Sequence, residues 1–109
     1  MRERRIFERF NIEIPIKFRS LNKDNNIEGT GKIINISAGG GGMIVTTKYL
    51  LPDTTLEMQL LIPDGKSPLN ANGKVIWLKA MEPTVFLAGV QFDKVDFMGI
   101  ARALRLHNN

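Results

Sequence analysis

Cysteine is absent from this chain of 109 residues, and histidine occurs once, as His107 near the C-terminal end. The lack of cysteine excludes disulfides, thiolate metal sites and cysteine nucleophiles, and it fits a reducing compartment. One histidine is too few for a histidine-based metal site or a Ser-His-Asp triad. Turn and helix-cap positions account for the candidate acid and base residues, which are Asp53, Asp64, Asp93 and Asp96. We therefore predict that the protein is not an enzyme and has no catalytic residue, metal or cofactor.

Long apolar runs are also absent. The best candidate, residues 56–63, is interrupted by Glu57 and Gln59 and falls far short of the roughly 20 residues that a transmembrane helix needs. The first ten residues carry four arginines and two glutamates, and they contain no apolar core of a signal peptide. The net charge of +4 is too small to indicate a protein that coats nucleic acid. We expect a soluble, cytoplasmic protein without a membrane span.

Short segments of strand character fill most of the chain. In residues 11–19 apolar and polar side chains alternate strictly, which is typical of a half-buried strand with Ile12, Ile14, Ile16 and Phe18 on its buried face. Pro15 lacks an amide donor, so we expect irregular pairing at that point. Further strands are predicted at 30–36, 43–47, 55–62, 70–79 and 84–92, with turns at Leu51-Pro52-Asp53, Pro63-Asp64-Gly65 and Glu82-Pro83. This pattern predicts an all-β antiparallel sandwich or barrel.

The last part of the chain has a different period. Apolar residues at helical spacing follow Asp93, namely Phe97, Ile100, Ala101 and Leu104. They predict a short amphipathic C-terminal helix, from about residue 94, that docks on the barrel. Trp77, the only tryptophan, lies on a predicted strand, and we predict that it belongs to the core.

The arginines ahead of the first strand are one candidate for ligand binding. Arg5 and Arg9 are four residues apart. A guanidinium group binds phosphate bidentately, stacks on aromatic rings and pairs with the O6 and N7 edge of guanine, so a guanine nucleotide is a natural ligand for such a pair. The alternative is a charged, solvated terminus without a ligand.

The glycine run at 39–42 is the second candidate. Four glycines exceed what a tight hairpin requires, and they leave backbone amides accessible to an anion. Asn35 and Ser37 lie at alternate positions just before the run, where an amide can meet a purine edge and a hydroxyl can reach a phosphate oxygen. No Gly-Lys-Ser/Thr follows, so the run is not a P-loop. The alternative is a turn that needs positive φ and binds nothing.

Together the two segments resemble the motifs of the PilZ domain family. The family pattern R-x-x-x-R is matched by Arg5 and Arg9, and [D/N]-x-S-x-x-G is matched by Asn35, Ser37 and Gly40. Flanking similarities include Val75-Ile76-Trp77 and Gly89-Val90-Gln91-Phe92, and the resemblance extends over roughly residues 3–106.

The resemblance implies a six-stranded antiparallel PilZ-type β-barrel with a short C-terminal α-helix. Residues 1–10 would be a flexible arginine-rich arm, and residues 11–109 would be a single barrel domain. By the same resemblance, the arm folds over the second messenger cyclic di-GMP, and the changed surface signals to a partner protein. The ligand-binding residues would be Arg4, Arg5, Arg9, Asn35, Ser37, Gly39 and Gly40.

Two other functions compete with that of a cyclic di-GMP receptor. One is a protein-interaction domain of the same fold that binds no nucleotide. The other is single-stranded nucleic-acid binding by a small basic barrel, which needs exposed aromatic platforms. Because Tyr49, Trp77 and the six phenylalanines are mostly at core positions, we do not expect nucleic acid to be a partner.

Overall fold

A computed structural model of the chain describes residues 9–22, 26–37 and 39–93. Across these residues the protein contains six β-strands: β1 Arg9–Ser20, β2 Glu28–Ser37, β3 Gly41–Thr46, β4 Thr55–Leu60, β5 Leu69–Glu82 and β6 Val85–Phe92. The predicted arm up to residue 8 and the predicted helix from about residue 94 lie outside the described residues. Within the described part, no helix is long and apolar enough to cross a bilayer.

The strands form a closed barrel in the order β1-β2-β3-β6-β5-β4, and every neighbouring pair is antiparallel. Closure comes from the pairing of β4 with β1, which puts β3 and β4 on opposite sides of the barrel. The all-β prediction is confirmed, and each predicted strand is present. β1 begins at Arg9, two residues before the predicted start, so Arg9 pairs with β2 instead of belonging to the arm.

The barrel interior is filled by aliphatic side chains and two phenylalanines, Phe18 and Phe92. The alternation in β1 is confirmed, because Ile12, Ile14, Ile16 and Phe18 are each at most 4% exposed while the residues between them are exposed. Burying one such side chain contributes about 1.5–3 kcal/mol. The core is completed by Ile33, Ile36, Ile44, Leu50, Leu56, Met58, Leu60, Ile62, Val75, Ala88 and Val90.

Two of the predicted turns are confirmed by their hydrogen bonds. At Leu51-Pro52-Asp53 the amide of Thr54 donates to the carbonyl of Leu51 at 3.1 Å, and Asp53 has a φ of 73°. Proline followed by a residue of positive φ is typical of a type II turn. At Pro63-Asp64-Gly65 the Asp64 Oδ1 atom accepts a bond from the amide of Lys66 at 3.0 Å. Local turn chemistry therefore accounts for both aspartates.

The pairing between β1 and β4 stops next to Pro15. The last paired residues are Ile16 and Leu60, and beyond them the carbonyl of Pro15 accepts a bond from the amide of Leu61 at 2.9 Å. In an antiparallel ladder the amide of Pro15 would return that bond, and proline has no hydrogen to donate. The irregularity predicted at Pro15 is confirmed.

The prediction that Trp77 is a core residue is wrong. Val75 is fully buried and opposite Val90, whereas Trp77 is 41% exposed and opposite Gly89. Ile76 is an extra residue at this point of β5, so it forms a bulge. A bulge reverses the inside-outside phase of a strand, so Trp77 lies on the outer face, although simple alternation would put it beside Val75 in the core.

Candidate functional site

A second bulge, on β2, turns Asn35 and Ser37 to the outer face of the barrel. Ile33 is buried in the core opposite Ile44, and the next pair along the ladder is Asn35 with Met43, so β2 contains one residue more than β3. Beyond the bulge Ile36 occupies the core. Without it, residues 33, 35 and 37 would share the core face and both polar side chains would enter the barrel. The polarity of the outer site therefore depends on this irregularity.

Backbone pairing brings several predicted site residues together. Arg9 is directly opposite Ser37, and Asn11 is directly opposite Asn35. Residues that are opposite each other in an antiparallel pair have Cα atoms about 4.5–5.5 Å apart. The last residue of the R-x-x-x-R motif therefore adjoins the [D/N]-x-S-x-x-G motif. Arg4 and Arg5 lie outside the described residues.

Ser37 organises the turn that follows it. Its Oγ accepts a hydrogen bond from the amide of Gly39 at 3.2 Å, and its carbonyl accepts one from the amide of Gly40 at 3.0 Å. Gly40 has a φ of 100°, a conformation that side chains strongly disfavour. The Gly40 carbonyl in turn accepts from the amide of Phe92 at 2.8 Å. These bonds tie the turn to the start of the site and to β6.

The next two glycines point to opposite sides of the barrel wall. A methyl group on Gly42 would lie 2.9 Å from Cε2 of Phe92, inside the core. A methyl group on Gly41 would lie 3.9 Å from both Ser37 Oγ and Gln91 Oε1, which is ordinary contact distance. Gly42 is therefore required for close packing, whereas Gly41 leaves a gap on the outer face between two polar side chains.

Asn35 and Ser37 are 7% and 8% exposed even though they lie on the outer face. Buried polar side chains need interaction partners: Ser37 Oγ accepts the bond from Gly39, and Asn35 also has a partner. Gln91, which the sequence did not single out, is exposed on β6 opposite Gly41. Its position between the buried residues Val90 and Phe92 indicates an outward side chain, but only the strand order shows that β6 adjoins β3 at the glycine turn.

The described residues hold no group of three or more histidine, cysteine, aspartate or glutamate side chains that could bind a metal ion. Among these residues, the large aromatic side chains that are clearly exposed are Tyr49 and Trp77, at 58% and 41%. Tyr49 packs edge-on against Phe86, with ring centroids 5.5 Å apart. The described surface thus lacks the row of stacking platforms typical of single-stranded nucleic-acid binders.

The described residues thus form a closed antiparallel barrel with a polar glycine turn on its outer face. The model of the PilZ domain matches residues 3–105, and the chain therefore belongs to the PilZ domain family. PilZ domains are binding and adaptor modules and are generally receptors for cyclic di-GMP. No curated protein matches the chain in sequence.

Two solved structures have a similar fold. The inhibitor of motility MotI/DgrA of Bacillus subtilis superimposes with a TM-score of 0.61 at 13% identity, over 96% of this chain and 50% of that protein. The chain thus spans half the length of MotI/DgrA. The PilZ domain of CeSA from a cellulose-synthesizing bacterium has a TM-score of 0.57 at 19% identity, with 91% and 93% of the two chains covered. At these identities the likeness supports the fold alone.

Proposed function

We propose that this chain is a receptor for cyclic di-GMP, which binds on the outer face of the barrel at the turn between β2 and β3. The observation that carries the proposal is the pairing of Arg9 with Ser37. This pair places the last residue of the R-x-x-x-R motif opposite the serine of the second motif, although the two motifs are far apart in sequence. Membership of a family whose members are generally cyclic di-GMP receptors supports the same ligand.

Each motif supplies a different part of the recognition. Arg5 and Arg9, with Arg4 beside them, bind the phosphates and the O6 and N7 edges of the guanines, since a guanidinium group matches both chemically. Asn35 and Ser37 offer an amide and a hydroxyl to a guanine edge and a nearby phosphate. Gly39 and Gly40 let the ligand approach the backbone of the turn, where no side chain intervenes.

Binding orders the N-terminal arm, and the altered surface is read by a partner protein. The arm directly precedes β1. When Arg4 and Arg5 contact the bound ligand, the arm therefore lies over the outer face of β1 and β2. A disordered segment that folds on its ligand loses conformational entropy, so the arginine contacts must outweigh that loss. This coupling makes the arm the part of the molecule that changes most on binding.

The test is isothermal titration calorimetry of cyclic di-GMP into purified wild-type protein and the Arg5→Ala and Arg9→Ala variants. Losing a hydrogen bond that involves a charged group costs about 1.5–3 kcal/mol, so each variant is expected to bind roughly ten- to a hundredfold more weakly. Circular dichroism should show that both variants remain folded.

Arg19→Ala is the matched control for these variants. Arg19 is at the other end of β1, where its exposed side chain pairs with Glu57 at 2.6 Å. The control should bind cyclic di-GMP as the wild type does. Unchanged affinity in Arg5→Ala and Arg9→Ala would contradict the proposed role of the arginines.

A nucleotide-independent interaction domain is the second candidate function. Large apolar side chains on β5 are exposed, namely Ile76 at 51%, Trp77 at 41% and Met81 at 54%. Neighbouring exposed apolar residues are typical of protein-binding surfaces. If the wild-type protein gave no heat of binding with cyclic di-GMP, this second function would be favoured.

A further inference from the structure

Gln91 of β6 borders the glycine turn, and the proposed function leaves it without a role. Its Nε2 atom donates to the carbonyl of Gly39 at 3.3 Å and makes a longer contact of 3.5 Å with the carbonyl of Phe92. Because both partners are acceptors, they fix the orientation of the amide with its nitrogen toward the turn. The remaining polar atom of the side chain is the acceptor Oε1.

Oε1 of Gln91 faces the gap above Gly41. A methyl group on Gly41 would lie 3.9 Å from this oxygen and 3.9 Å from Ser37 Oγ. Apart from the chain neighbours of Gly41, no other residue that the structure describes has an atom within 4 Å of it. The two oxygens therefore border one opening in the outer face, directly beside the residues proposed to bind the ligand. A group that entered the opening would meet a pure acceptor on one side and a hydroxyl on the other.

The acceptor character of Oε1 decides which part of a nucleotide can occupy the gap. A phosphate oxygen would be repelled by the amide oxygen, because both carry negative partial charge. The Watson–Crick edge of guanine presents the N1–H and 2-amino donors, which an amide oxygen accepts. Adenine has an acceptor at N1 and no 2-amino group, and its 6-amino donor lies where guanine has O6. Adenine therefore offers Oε1 no donor at the two positions where guanine has N1–H and the 2-amino group.

We propose that Gln91 is a specificity-determining residue, whose Oε1 accepts a hydrogen bond from the N1–H and 2-amino edge of one guanine of cyclic di-GMP. This inference rests on the proposed function and deepens it. The arginines recognise the opposite, O6 and N7 edge of guanine, so the two contacts are compatible on one base. Gln91 thereby selects guanine over adenine among cyclic dinucleotides, because an unmatched polar group in a site rejects the wrong ligand.

The experiment compares the affinities of wild type, Gln91→Leu and Gln59→Leu for cyclic di-GMP and cyclic di-AMP by calorimetry. A neutral hydrogen bond corresponds to a factor of roughly three to ten in affinity, so Gln91→Leu should bind cyclic di-GMP about that much more weakly. Its affinity for cyclic di-AMP should stay the same or rise. Gln59 is another exposed glutamine, on β4 across the barrel from β3, and Gln59→Leu should leave both affinities unchanged.

Gly41→Val tests the gap while both residues of the bond between Gln91 and Gly39 keep their identity. Valine suits a strand position, and its side chain would occupy the space between Ser37 and Gln91. We expect this variant to fold and to lose affinity for cyclic di-GMP by a factor similar to that of Gln91→Leu. It therefore separates occupation of the gap from a disturbance of the turn.

The outcomes distinguish this inference from the proposed function. If wild type binds cyclic di-GMP while Gln91→Leu and Gly41→Val bind it equally well, the inference is overturned and the receptor function stands. An equal loss of affinity for both dinucleotides in Gln91→Leu also overturns it, because Gln91 would then only position the turn. A wild-type protein that binds no cyclic di-GMP overturns both.

Discussion

Gly41 and Gly42 face opposite sides of the barrel wall. Replacing each of them by alanine therefore compares the packing on the outer side with the packing in the core. Alanine at position 42 would add a methyl group 2.9 Å from Cε2 of Phe92 and 3.0 Å from the carbonyl oxygen of Asn35. Alanine at position 41 would add the same group at 3.9 Å from its nearest neighbours. Favourable contacts between carbon atoms lie at about 3.5–4.0 Å, so only the first methyl group overlaps with its surroundings.

The magnitude of the effect follows from what can move. The Asn35 carbonyl belongs to a strand paired on both sides, and Phe92 is 5% exposed in the core, so neither can yield freely. Overpacking of this kind costs about 1–3 kcal/mol, of which replacing glycine within a strand recovers about 0.5–1 kcal/mol. We expect Gly42→Ala to lower the free energy of unfolding by about 1–2 kcal/mol. Gly41→Ala should leave it unchanged or raise it by up to about 1 kcal/mol.

Urea unfolding followed by far-ultraviolet circular dichroism measures both variants against the wild type. Thermal unfolding provides a second readout, since a change of 1 kcal/mol shifts Tm by about 4–8 °C in a domain of this size. Equal stability of Gly42→Ala and Gly41→Ala would refute the argument, because the two positions would then not face a crowded core and an open gap. A lower free energy of unfolding in Gly41→Ala than in the wild type would also refute the argument.

Two further predictions concern backbone and side-chain geometry elsewhere. In Gly89→Ala the new methyl group would lie 2.3 Å from two atoms of the Trp77 indole, which is 41% exposed and can swing into solvent. The emission maximum of this sole tryptophan should shift to longer wavelength, and an unshifted spectrum would mean that the ring does not rest on Gly89. Asp53 has a φ of 73°, so Asp53→Val should lower the free energy of unfolding by about 1–2 kcal/mol, measured with urea. Asp53→Gly should change it little, because glycine adopts positive φ readily. Equal effects of the two substitutions would argue against the left-handed turn.

Much of the fold could be predicted from the sequence because its signals are local. Alternation with a period of two placed Ile12, Ile14 and Ile16 on the buried face of β1, and all three are in the core. The turn at Pro63-Asp64-Gly65 was predictable because its hydrogen bond joins Asp64 to a residue only two positions away.

The candidate site could be predicted only in part. The order and spacing of the arginine and asparagine-serine-glycine motifs indicated the segments, and the family match over residues 3–105 agrees with that resemblance. Gln91 could not be found in this way, since it meets the glycine turn only because β6 pairs with β3. The sequence also could not predict that Asn35 lies on the outer side of the barrel wall, since strict alternation from Ile33 would have put it in the core.

By itself the sequence determined that the chain forms strands, where they turn, and which side chains of each regular segment are buried, because these properties depend on neighbours a few positions away. The tertiary structure alone decided the bulges at Ile34 and Ile76, and with them the outward positions of Ser37 and Trp77. No periodic pattern in the sequence indicates a bulge. It arises when one strand has one residue more than the strand it pairs with between two points of pairing, and the two strands are distant in sequence. The chemistry of the outer face is set by that long-range pairing.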